Sequence, residues 1–416
     1  MSKSFPHGFL WGAATASHQV EGNTTNDWSE WEKEHTERLA RESEQSFWWN
    51  PNWKKFREEA TDPKNYLSGA ACDHYHHYAQ DFDILKELNL NAYRFSIEWS
   101  RIEPSEGVFD AQELEHYRSM AQALRERHIE PFVTLWHWTL PLWLRDKGGI
   151  LAKDFPELFA RYSQEVARAL GPEVKFWITL NEPEVIASHG YLKGAWPPME
   201  KSPLKCYRTL RQLIQTHRLT YQTLKSLLPH AQVGIAKHNI WFEAAGNTLF
   251  NRTLKWIADH VWNFWLLDKM QDCQDFIGLN HYNHHRIAGW FNKNENKLQT
   301  DFGWEYYPSS LYHAAMDLKR YHKPIYITEN GIADHDDDLR PQFIRESLTS
   351  LHQAIQDSAD VRGYLYWSLL DNFEWDKGYW LKFGLVAVDR TSQVRTIRPS
   401  AHLYGEIAKN NSLSEI

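Results

Sequence analysis

Val174-Lys175-Phe176-Trp177-Ile178-Thr179-Leu180-Asn181-Glu182-Pro183 is a short apolar run that ends on a carboxylate. Pro324-Ile325-Tyr326-Ile327-Thr328-Glu329-Asn330-Gly331 is a second. Runs of this length and character read as parallel strands buried on both faces. Working outward, six more β-type runs lie at 9–15, 91–97, 131–137, 232–237, 275–280 and 362–368. Helical patterns fall between them. Tyr78, Phe82 and Leu85 sit at i, i+4, i+7, and Ile344, Leu348, Leu351 and Ile355 at i, i+4, i+7, i+11. Strands alternating with helices predict an α/β fold, a (β/α)₈ TIM barrel with enlarged βα loops. A doubly wound open sheet is the alternative, but no Gly-x-Gly-x-x-Gly or Walker loop follows the first run. No Gly/Ser-rich or Pro-rich linker interrupts the pattern. Residues 1–416 therefore read as a single barrel domain, although about 150 residues per domain would suggest two or three.

The composition narrows the function. Lys and Arg number 46 against 54 Asp and Glu, a net charge of −8 that disfavours a nucleic-acid backbone as partner. No apolar run is long enough for a membrane span. The first residues carry no apolar signal segment, so the expected location is the cytoplasm. Three scattered cysteines make neither a disulfide framework nor a zinc pattern, and Cys273 reads as a buried thiol. A homo-oligomer is compatible with all of this. The 21 Trp residues exclude disorder. They also raise the prospect of sugar binding, since flat amphipathic rings suit a pyranose face.

In such barrels the catalytic groups sit at the C-terminal ends of strands. Glu182 and Glu329 each stand where a run opens into a loop. Two carboxylates across one barrel mouth are the equipment for glycoside hydrolysis. Three further stretches extend the pattern: Phe9-Leu10-Trp11-Gly12-Ala13-Ala14-Thr15-Ala16-Ser17-His18-Gln19-Val20-Glu21-Gly22, Arg94-Phe95-Ser96-Ile97-Glu98-Trp99-Ser100-Arg101-Ile102 and Trp367-Ser368-Leu369-Leu370-Asp371-Asn372-Phe373-Glu374-Trp375. With these, nearly the whole chain resembles glycoside hydrolase family 1, the β-glucosidase and β-galactosidase family. The resemblance implies a retaining exo-acting β-glycosidase without cofactor or metal, working on a small-molecule β-glycoside. It implies Glu182 as acid/base and Glu329 as nucleophile, with Arg94 and Tyr282 beside the nucleophile. It assigns sugar binding to Gln19, His137, Asn181, Asn280, Trp367, Glu374, Trp375 and Phe383. Phospho-glycosidases of the family carry Ser at position 374, Lys seven residues on and Tyr nine on. Here Glu374, Leu381 and Phe383 stand at those offsets, and a carboxylate without a lysine repels a phosphate. Unphosphorylated glycosides are therefore expected.

Some features depart from the pattern or are discounted. Thr139 stands where many members have Asp, and His281 where Tyr is common. The stretch from 238 to 275 is short for the family, which predicts an open aglycone side. The histidine clusters at 74–77 and 281–285 read as structural rather than metal-binding. The acidic run 334–338 reads as a solvated loop. Trp138 and Trp143 are expected to border the mouth, and Trp177, Trp256 and Trp262 to pack in the core. A non-catalytic sugar-binding protein on the same barrel and a transglycosylase are the rival functions. The first would not need both glutamates, and the second shares every catalytic residue.

Overall fold

The computed structural model describes residues 3–246 and 248–413. Eight parallel strands close into a barrel: β1 (Leu10–Ala14), β2 (Ala92–Ser96), β3 (Glu130–Thr134), β4 (Phe176–Asn181), β5 (Gln232–His238), β6 (Phe276–Asn280), β7 (Ile325–Asn330) and β8 (Val361–Trp367). Each pairs with its sequence neighbour, and β8 closes on β1 through Gly363–Leu10 to Trp367–Ala14. All eight predicted runs become barrel strands, and the open-sheet alternative falls.

The two-residue period of a strand explains how the barrel carries a site. On the inward faces, Ala92, Phe132, Phe176, Phe276 and Tyr326 belong to one apolar cluster. Phe132 and Phe176 stack there at 4.3 Å. Two residues further along, the same faces present Arg94, Thr134 and Thr328, and Asn280 stands two beyond Gly278. The apolar layer plugs one end of the barrel, and the polar layer fills the C-terminal end. Around it, the helices His74–Glu87 and Arg340–Gln356 bury Phe82 and Leu85, and Ile344, Leu348 and Leu351.

The third run ends early as a strand. Leu135 N still donates to the Ile178 carbonyl at 2.8 Å. The chain then turns, with Trp138 at φ +81°, so that His137 and Trp138 enter the mouth.

The acidic run 334–338 is not a solvated loop. Asp334 is buried and accepts from Leu339 N and Arg340 N, both at 2.9 Å, at the start of helix Arg340–Gln356. Arg340 is fully buried, pairs with Asp337 and donates to the Asp334 carbonyl at 2.7 Å. Asp337 also accepts from Ser400 N at 2.9 Å. A buried guanidinium and a helix N-terminus both call for carboxylates, so this charge run is part of the interior. Only Asp336 and Asp338 are exposed.

Candidate active site

A cavity of about 330 Å³ opens at the C-terminal end of the barrel. His137, Asn181, Glu182, Tyr282, Glu329, Trp367, Glu374, Trp375 and Phe383 line it. The other three predicted residues stand just behind. Arg94 holds Glu329, Asn280 holds Glu182, and Gln19 reaches Glu374.

The two glutamates occupy different electrostatic settings. Arg94 Nη1 donates to Glu329 Oε1 at 2.5 Å, and the Tyr282 hydroxyl donates to Oε2 at 2.7 Å. Arg94 is itself fixed on three sides. It donates to Thr134 Oγ1 at 2.9 Å, the Thr328 carbonyl at 3.3 Å and Asn181 Oδ1 at 2.7 Å. Glu182, in contrast, has one neutral donor, Asn280 Nδ2 at 2.8 Å. Asn280 is held by Thr328 Oγ1, which donates to its Oδ1 at 2.7 Å. Burial and the charge of Glu329 hold Glu182 well above the usual carboxylate range. Burial also raises Glu329, but the Arg94 and Tyr282 contacts pull against it. Of the pair, Glu329 gives up its proton first.

Glu329 is presented by a close crossing of backbones. A β-carbon on Gly331 would lie 1.9 Å from the Trp367 carbonyl oxygen, so only glycine lets β7 leave the barrel against β8. Gly331→Ala is expected to cost about 3 kcal/mol, at the top of the overpacking range. Denaturant unfolding measures it, and an unchanged midpoint would show that the crossing relaxes freely.

Beside the glutamates lies a set of unused polar groups. Gln19 Nε2 donates to the Phe373 carbonyl at 2.8 Å, while its Oε1 is buried with no protein partner. Burial holds His137 well below the usual imidazole range, so its ring is neutral. Its Nε2 meets Asn181 Nδ2 at 3.0 Å, which leaves Nδ1 carrying the proton, buried and unpartnered. Trp375 stacks against His137 at 5.8 Å and presents a flat apolar wall. Burial, reinforced by Glu329, pushes Glu374 up to about 8.

A raised carboxylate pKa destabilises the fold as pH rises. The stability present below the ordinary carboxylate pKa is lost progressively as pH climbs to about 8. Glu374→Gln removes that dependence. Its melting temperature is expected to match wild type near pH 4.5 and exceed it increasingly toward pH 8. A difference that does not vary with pH would contradict the shift.

The opposite wall was largely missed from sequence. Val185, His189, Trp196, His238, Ile240, Trp262, Phe302 and Trp304 all line it. Burial drops His189 and His285 to about 4 and His238 further, so these imidazoles are neutral. Trp262, expected in the core, is a wall residue. Trp143, expected at the mouth, instead donates Nε1 to the Glu103 carbonyl at 2.8 Å and packs against Trp99. Trp256, also expected in the core, is exposed. Most of these residues sit on loops or helix turns several residues beyond a strand end, where no periodic pattern marks them.

The departures have structural reasons. Thr139 Oγ1 donates to buried Glu98 Oε2 at 3.0 Å, and an Asp there would set two buried carboxylates together. His281 ties Asn239 to Ser310, at 2.8 and 2.7 Å. His74 meets Asp81 at 2.7 Å. Among the described residues no group of three or more His, Cys, Asp or Glu could hold a metal ion.

The family model for glycosyl hydrolase family 1 matches residues 1–270 and 266–413. The chain belongs to glycosyl hydrolase family 1. A 1,4-beta-D-glucan glucohydrolase of Thermotoga neapolitana is 33% identical over 99% of the chain and 100% of its own length. Beta-glucosidase A of Thermotoga maritima is 33% identical over 99% of both chains. Among solved structures, a beta-glycosidase from Pyrococcus horikoshii superposes with a TM-score of 0.89 at 36% identity, covering 100% of this chain and 97% of that one. The protein is thus a glycoside hydrolase with the retaining exo-glycosidase activity typical of family 1. No helix among the described residues is long and apolar enough to cross a membrane.

Proposed function

We propose that the enzyme is a β-glucosidase with β-galactosidase and β-fucosidase side activity, acting on terminal unphosphorylated residues by double displacement. The observation that carries the reading is the unequal treatment of two carboxylates in one cavity. Glu329 faces a guanidinium and a phenol, while Glu182 faces one amide. In this reading Glu329 attacks the anomeric carbon, and the C1–leaving-group bond breaks as Glu182 gives its proton to the departing oxygen. Glycosylation then removes the Glu329 charge. Its repulsion on Glu182 vanishes, so Glu182, having given up its proton, stays a carboxylate and takes a proton from the incoming water as general base. Water attacks C1, the ester bond breaks and Glu329 leaves as a carboxylate.

Sugar recognition falls to the unpartnered Gln19 Oε1 and His137 Nδ1, to Glu374 and to the Trp375 face. In this reading Asn181, held by Arg94, meets the 2-hydroxyl, where hydrogen bonds strengthen in the transition state. The neutral imidazoles and tryptophans of the opposite wall, which Lys193 and the Asp376–Lys377 pair join in lining the cavity, support an open aglycone side that accepts bulky leaving groups. A panel of nitrophenyl β-glycosides, followed by NMR of the first-formed anomer, tests the whole reading. The β-anomer should appear first, with glucoside fastest. An α-anomer would overturn the double displacement, and a faster galactoside would overturn the sugar assignment. A strict preference for cellobiose over aryl glucosides would overturn the open aglycone side.

A further inference from the structure

One surface of the molecule is built against ordinary folding logic. The helix Leu249–Ala258 buries none of its residues. Its outward stripe, continued into the following turn of 259–264, carries Leu249, Phe250, Trp256, Ile257 and Val261, all exposed. These positions recur at helical spacing on one face. Beside the stripe is the hairpin of strands His284–Ala288 and Phe291–Asn292, turning on Gly289 at φ +61°. Its tip residue is Trp290, 81% exposed, followed by Phe291 at 69%. A two-residue hairpin tip asks for small polar residues, so neither the turn nor the core explains a tryptophan there. The two elements form one surface. Asn251 Oδ1 accepts from Gly289 N at 2.9 Å, and the Phe250 and Trp290 rings meet edge-on at 5.9 Å.

The charges around this surface that lack an ion pair have one sign. Arg252 and Lys293 flank it and form no ion pair among the described residues. The nearby acids are already matched: Asp259 with Lys255 at 2.5 Å, and Glu295 and Glu243 with Arg286 at 2.7 and 3.6 Å. On a chain of net charge −8, this is a local cationic rim around an apolar, tryptophan-bearing stripe. An amphipathic helix with aromatic residues on one face and free cations at its margin has the chemistry of an interfacial membrane helix. The same stretch of chain carries Trp262 into the wall of the catalytic cavity, so the surface adjoins the aglycone side.

We propose that the stripe on Leu249–Ala258 and the Trp290–Phe291 tip form a docking surface for an anionic lipid bilayer, which brings the mouth of the active site to the membrane surface. Tryptophan and phenylalanine side chains enter the headgroup boundary, and Arg252 and Lys293 meet lipid phosphates.

Co-sedimentation of the full chain with vesicles tests this, using phosphatidylcholine alone and phosphatidylcholine with phosphatidylglycerol. Binding is expected to the anionic vesicles and to weaken as salt is raised. The double variant Trp290→Ser/Phe291→Ser should weaken binding roughly tenfold or more. Arg252→Gln/Lys293→Gln should weaken it about fivefold per cation. Hydrolysis of a soluble aryl glycoside should be unchanged in both, which excludes misfolding as the cause. No binding to anionic vesicles, or binding that neither variant weakens, would overturn the proposal. So would a dimer in light scattering that Trp290→Ser/Phe291→Ser dissolves, since the occupant would then be a second copy of the chain.

Discussion

Glu329→Ala is expected to lower turnover of an aryl β-glucoside by at least about 10⁴-fold, and azide or formate to restore much of it. The rescued azide product should have the α-configuration, because the small anion enters the space the carboxylate vacates, on the face opposite the leaving group. A second effect follows from the same geometry. Arg94 is completely buried, and Glu329 is its only carboxylate partner within 4.0 Å among the described residues. Removing one partner of such a pair leaves a buried charge that costs about 3–5 kcal/mol. Azide should therefore raise the melting temperature of the variant at the concentrations that restore activity. Normal turnover without azide, or a β-configured azide product, would remove Glu329 from its assigned role.

Glu182→Ala is expected to separate substrates by their leaving groups. With alkyl β-glucosides, whose departing oxygen needs a proton, kcat/KM should fall by about 10²–10⁴-fold. With dinitrophenyl glucoside the first step needs little help, and kcat/KM should change far less. Deglycosylation still lacks its base, so the glycosyl-enzyme should accumulate and a burst of phenolate should appear. Azide should speed the second step and give the β-configured product, the opposite anomer to that from Glu329→Ala. An equal loss across all leaving groups would show that Glu182 is not the proton donor.

The barrel and the two glutamates at its mouth were legible because both follow short-range rules. Continuous apolar runs mark strands buried on two faces, and a glutamate at the end of a run needs a reason to be there. Glu182, Glu329, Asn181 and Asn280 all stand on or directly after barrel strands, so the strand pattern located them. Arg94 was reached through resemblance, and its three neutral contacts emerge only when four strands meet. The wall opposite the glutamates was not legible in the same way. Trp196 and Trp304 come from irregular segments far apart in the chain, and Trp262 lies in a helical turn whose pattern reads as core. The acidic run at 334–338 failed for a related reason. Its charge suggests water, whereas Asp334 is drawn inward by the backbone amides at a helix start and Asp337 by a buried arginine and the Ser400 amide.

The fixing of Arg94 has a wider consequence. One guanidinium ties together residues from β2, β3, β4 and β7, the inner framework of the barrel, and none of those ties passes through the segment between 238 and 275. On the proposed function, the framework that holds the nucleophile is therefore built apart from most of the wall that would meet the leaving group. The wall beyond His238 can then vary while the Arg94 contacts to Glu329 stay as they are. For an engineer, that segment is the place to graft from a longer relative, since no contact of the Arg94 guanidinium is at stake there.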